Sequence, residues 1–297
     1  MRKVKRTKII VIALVIVLVV NAGLVGYSMI GGNLFVSDNN SSDIPSKTTV
    51  NTQNPKAADN GLKDEASNEI SQEILDLIKA QDPDSYTKNL NNYKQLLENL
   101  NVHVKFKNEI ERLIKKGKKL PDIMTAYSFL NDCYGFMEDI ETLVNKKGAG
   151  KTWSDIFKEY IKSNPEFVPR DFDNNYLEKL LESNIDQDII MIADRVSQKT
   201  KVEIDEIINK RQAGESWRLI NAEYGIVNGL EKSPHLSVTR TQLSKYTAQT
   251  KLSEKDVIKA LTIATKLDKP ADSVLNTVKK GLSKEEIYAM AFEEKYY

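Results

Sequence analysis

The residue types able to do chemistry are few and far apart in this chain. His103 and His235 lie 132 positions apart, and Cys133 is the single cysteine. A structural or catalytic metal site needs three or four such ligands at close spacing, so neither a histidine-rich site nor a cysteine cluster fits. One thiol also excludes an intramolecular disulfide framework. Cys133 falls in Ser128-Phe129-Leu130-Asn131-Asp132-Cys133-Tyr134, a predicted helix, where a core thiol is expected over a redox role. His103, between Val102 and Val104, reads as a turn or half-buried residue, and His235 as part of a polar loop. No GxSxG, GxxxxGK[ST], HExxH or calcium-loop pattern occurs. The expectation is therefore a chain with no catalytic residue, no cofactor and no metal.

Carboxylates come closer together. Asp82-Pro83-Asp84 and Asp171-Phe172-Asp173 place acidic pairs in turns. Weak calcium binding is the sharper reading of them, and helix capping by Asp84 and Asp173 the expected one. Glu138, Asp139 and Glu141, like Glu203, Asp205 and Glu206, read as solvated helix starts that complement the helix dipole.

Two tryptophans carry the remaining signal, because they recur in one phrase. Gly150-Lys151-Thr152-Trp153-Ser154-Asp155-Ile156 with Tyr160 matches Gly214-Glu215-Ser216-Trp217-Arg218-Leu219-Ile220 with Tyr224, at an offset of 64. A third copy, Gly281-Leu282-Ser283-Lys284-Glu285-Glu286-Ile287, follows at an offset of 67 and has lysine in place of tryptophan. Upstream, Ile123, Met124 and Ala126 match Ile190, Met191 and Ala193, and then Val257, Ile258 and Ala260. Copy one carries three more residues before Leu143. The copies cover about 121–160, 188–224 and 255–291. Each reads as three helices: the glycine closes the second in a left-handed position, and Thr152, Ser216 or Ser283 caps the third. Exposed indoles at Trp153 and Trp217 would stack on sugar rings; buried ones would staple the repeat core, which is the expected role. The Gly-x-Ser/Thr phrase resembles the first turn of a DNA-binding helix-turn-helix over about ten residues. No basic helix follows it to read bases, so nucleic acid is not an expected partner.

These phrases must sit on helices. Apolar residues recur at helical spacing at Ile70, Ile74, Leu77 and Ile78, at Tyr93, Leu96, Leu97 and Leu100, and at Phe106, Ile110, Leu113 and Ile114. No alternating strand pair appears, so the Asn-Gly pairs at 60–61 and 228–229 carry no hairpin signal. Residues 62–297 are thus predicted to form an all-α domain, a helical bundle or short solenoid with three related helical repeats.

Ahead of that domain the texture changes twice. Residues 9–37 carry no charge, and Ile9 to Ile30 would span about 33 Å as a helix, enough for a bilayer core. Arg2, Lys3, Lys5, Arg6 and Lys8 precede it, and the next basic residue is Lys47. The positive-inside rule then gives a cytoplasmic tail at 1–8, a single transmembrane anchor at 9–30 and an extracytoplasmic remainder. Cleavage after Val20-Asn21-Ala22 is the rival reading, and would release the same domain. From Ser37 to Asn60, 18 of 24 residues are Ser, Thr, Asn, Gln, Asp or Pro, so 31–61 reads as a flexible tether. The whole chain has 43 basic and 42 acidic side chains. Without the five in the tail, the exported part is formally −4, a poor match for polyanions. The expected role is protein binding or scaffolding at the cell envelope, with an envelope glycan- or peptide-binding sensor as the alternative and a hydrolase behind both. No partner and no oligomeric state follows from the residues.

Overall fold

The computed structural model describes residues 69–232, 236 and 238–297. The anchor expected at 9–30, the tether at 31–61 and His235 lie outside them. Among the described residues no helix is long and apolar enough to cross a membrane. The fold is all-α, with 14 helices and a single isolated bridge among those residues.

Three helices lead in: α1 (Gln72–Gln81), α2 (Tyr86–Asn99) and α3 (Val104–Lys115). Their stripes are buried as the spacing requires, with Ile74, Ile78, Tyr93, Leu96, Phe106 and Ile110 all in the interior. The first copy supplies α4 (Leu120–Cys133), α5 (Asp139–Gly148) and α6 (Trp153–Ser163). After α7 (Asn174–Glu182), the second supplies α8 (Gln187–Thr200), α9 (Ile204–Gln212) and α10 (Trp217–Glu223). After α11 (Arg240–Thr250), the third supplies α12 (Glu254–Leu267), α13 (Ala271–Lys279) and α14 (Lys284–Tyr296).

Punctuation is the same in each copy. The first helices end on left-handed residues at Tyr134, Lys201 and Asp268. Gly150, Gly214 and Gly281 follow the second helices at φ of 92°, 95° and 87°, a conformation open to glycine without a Cβ penalty. Thr152, Ser216 and Ser283 then cap the third helices by accepting from the backbone N–H of Asp155, Leu219 and Glu286. Asp173 caps α7 as its position suggests. Asp84 does not cap α2; Asp82 accepts from Ser85 N–H at 3.0 Å instead, because the turn begins before the proline.

Packing does not follow chain order. Copies one and three share the larger core with α1–α3 and α11, whereas copy two closes a second core with α7 and Tyr134. In the larger core Phe157 of α6 stacks on Phe129 of α4 at 3.8 Å and meets Phe292 of α14 edge-on at 6.4 Å. The extra residues of copy one explain how copy two is attached. Gly135-Phe136-Met137 runs beside Gly225-Ile226-Val227, with Met137 N–H donating to Gly225 and Val227 N–H to Gly135, both at 2.8 Å.

Candidate ligand cleft

The residues singled out by sequence lie apart. Trp153 and Trp217 are 0% and 1% exposed, one in each core, so neither ring face is offered to solvent. Trp153 Nε1 donates to the Tyr297 hydroxyl at 3.1 Å, and that hydroxyl bonds the Asp122 carboxylate. A cation lies over each indole at the matching place on the preceding helix: Lys147 at 5.6 Å and Arg211 at 5.8 Å. His103 begins α3, its Nδ1 accepting from Lys105 N–H. Asp139 and Asp205, read as solvated, accept from the hydroxyls of Tyr160 and Tyr176 at 2.8 and 2.6 Å. Among the described residues no three His, Cys, Asp or Glu side chains group as metal ligands.

What the sequence reading missed is a cleft of about 580 Å³ where all three copies converge. The C-terminal end of α4 contributes Ser128, Asn131, Asp132 and Tyr134, and that of α12 contributes Thr265 to Lys269. Arg195 comes from α8, Tyr288, Ala291 and Phe292 from α14, and Leu96 and Leu100 from α2. Asn228, Leu230 and Lys232 complete the wall. That last segment is pinned closely, since a Cβ on Gly229 would stand 2.8 Å from the Leu100 carbonyl oxygen. Asn101 Nδ2 donates to the Gly229 carbonyl at 2.9 Å, and Asn228 Nδ2 to that of Asn131 at 3.0 Å.

An ion cluster forms its base. Asp132 Oδ1 meets Lys266 at 2.7 Å and Oδ2 meets Lys284 at 3.6 Å, while Lys284 also reaches Glu166 at 2.6 Å. Burial would raise the Asp132 carboxyl, but the two ammonium groups outweigh it and hold it below its ordinary value. Glu166 is lowered the same way, its burial overcome by Lys284. Burial depresses Lys266, and burial together with the Asp132 charge pushes the Cys133 thiol up to about 12. At neutral pH the carboxylates of this cluster are therefore locked as anions, and the thiol next to Asp132 is unreactive.

Arg195 is fixed above this base. Its guanidinium carbon lies 3.9 Å from the Tyr134 ring centre and 5.7 Å from that of Phe167, and Nη2 donates to the Asp132 carbonyl at 3.3 Å. Its Nε is buried without a hydrogen-bond partner, and so is Oδ1 of Asn131, a residue 7% exposed. Unpaired polar atoms of this kind are costly and uncommon in folded chains. Charge adds a second asymmetry: the lining has five cations (Arg195, Lys232, Lys266, Lys269, Lys295) against three anions (Asp132, Asp268, Glu294). A positive cleft thus sits in a domain whose formal balance is negative.

Two signals in the sequence pointed here. Asp132, Lys199 and Lys266 occupy one position across the copies at offsets of 67, and Lys284 stands where the other copies have tryptophan. Comparison of the chain with known protein families, characterised proteins and solved structures returns no match.

Proposed function

We propose that this chain is a membrane-anchored extracytoplasmic module, built from three related helical repeats, that works by binding rather than catalysis. Segment 9–30 is its anchor, 31–61 its tether, and the cleft its ligand site. The observation that carries this reading is the convergence of all three copies on one polar cavity with unpaired buried groups. Its volume falls in the range of roughly 300–1,000 Å³ typical of small-molecule sites.

Binding is favoured over hydrolysis by the state of the carboxylates. A general acid needs a carboxyl raised toward the working pH, whereas Asp132 and Glu166 are both held down by lysines. A ligand site is favoured over a flat scaffolding face because the large apolar residues exposed among those described are few: Val168, Met290 and Tyr297.

Native mass spectrometry of the full-length chain, incubated with envelope extract, tests the reading. Retained ligand mass on the parent, lost when Ala291→Trp fills the cleft, supports it. Equal retention by both proteins, or none by either, overturns it.

A further inference from the structure

We infer that the cleft takes the carboxylate end of a short peptide whose last side chain is apolar. This rests on the cleft being the ligand site. Three features of the wall lead to it, and they select different parts of one ligand.

Arg195 selects the acid. Its guanidinium is held by the Tyr134 ring and by the Asp132 carbonyl, which leaves Nε as a buried donor with nothing to bond. A planar fork offering donors along one edge matches a carboxylate better than a point cation does. The excess of cations around the rim favours an anion over a neutral or cationic group.

Asn131 selects the amide. Its Oδ1 is a buried acceptor, and acceptors are satisfied by N–H or O–H. The chain keeps it next to the acid subsite, because Arg195 bonds the carbonyl of Asp132, the very next residue. Neither atom has surface open to the cavity as the chain stands, so a ligand that pairs both turns the two side chains toward it and must carry a carboxylate and, close to it, a hydrogen-bond donor. The final residue of a peptide has that arrangement, with its own amide N–H one carbon away from the carboxylate. Acetate would satisfy Arg195 but brings no donor for Asn131.

The third feature is apolar. Leu96, Leu100, Leu230 and Phe292 line the same cavity, which supplies contact area for a side chain. About 580 Å³ also exceeds what a lone inorganic anion needs.

Isothermal titration of the full-length chain in detergent with Ala-Ala-Leu, as the free acid and as the C-terminal amide, tests the inference. Saturable binding of the acid, weakened roughly tenfold or more in the amide, is expected, that being the scale of one charge-assisted hydrogen-bond pair. Arg195→Lys keeps the charge and loses the fork, and should weaken the acid by a similar factor while leaving the amide unchanged. Asn131→Asp is the second variant: nearly isosteric, it sets a like charge beside the peptide carboxylate and should abolish binding of the acid. A thermal melt of each variant within a few degrees of the parent shows that the fold is kept. Equal binding of acid and amide, displacement of the peptide by equimolar phosphate, or no binding of either peptide overturns the peptide assignment. The Ala291→Trp comparison then reads separately whether the cleft binds anything, so the two readings fail independently.

Discussion

Asp132 and Lys266 occupy the same position in copies one and three, and they meet in a 2.7 Å ion pair. A position repeated in sequence thus becomes a contact between opposites in space. Both side chains are largely buried, at 13% and 17% exposure.

Removing one partner should therefore cost more than removing both. Lys266→Met leaves Asp132 to Lys284 alone, at 3.6 Å, and should destabilise by about 3 kcal/mol, the low end for breaking a buried pair. Asp132→Leu with Lys266→Met removes the uncompensated carboxylate and should recover most of that loss. Urea denaturation of the single and double variants checks the order; a double variant no more stable than Lys266→Met would contradict it.

The tryptophans supply a second test. Both indoles are interior, so Trp153→Ala and Trp217→Ala should each cost about 3–5 kcal/mol. Thr152→Ala and Ser216→Ala, which remove only a cap, should cost about 1 kcal/mol. Because the indoles sit in different cores, hydrogen exchange should place the loosening from Trp217→Ala in α7–α10 first. Uniform loosening across all helices would argue for one cooperative core.

Acid should act through Glu141. Hydrogen bonds from Arg112 and Lys116 hold its carboxyl at about 2, against an ordinary 4.5. A depressed acid stabilises the fold above its unfolded value and loses that contribution as pH falls through the folded one. The contribution is thus present above pH 4.5 and fades toward pH 2. In Glu141→Gln the urea midpoint should fall less steeply across that window than in the parent. Identical slopes would remove Glu141 from the account.

Topology is tested outside the folded domain. Five basic residues precede Ile9 and none follows until Lys47, which motivates a cytoplasmic tail and an exported domain. Protease added to intact cells should then remove the chain beyond Leu62. Protection until the cells are lysed would place the domain inside.

Local features of this fold were legible in the sequence because their causes are local. A glycine and a hydroxyl two positions on are enough to end one helix and start the next, and all three copies use them. Asp84 misled because either carboxylate of Asp82-Pro83-Asp84 can serve that turn, and spacing alone does not choose between them. Which copies share a core was hidden, since it depends on Gly135-Phe136-Met137 finding a partner about ninety positions away. The cleft was hidden for a related reason. Asp132, Arg195 and Lys266 each look like ordinary polar helix residues until three helix ends are brought together. The matched register of Asp132 and Lys266 was visible; the meaning of it was not.

The split into two cores also bears on how the chain is made. Ser128 and Tyr296 bond across 168 positions, with the whole of copy two between them. During synthesis the parts of α4 and α6 that meet α14 stay uncovered until α14 emerges, while α7–α10 can collapse as soon as they are out. The larger core therefore behaves as a late-closing clasp. In the proposed export, an extended chain would cross before that clasp shuts, and its closure on the far side would oppose sliding back.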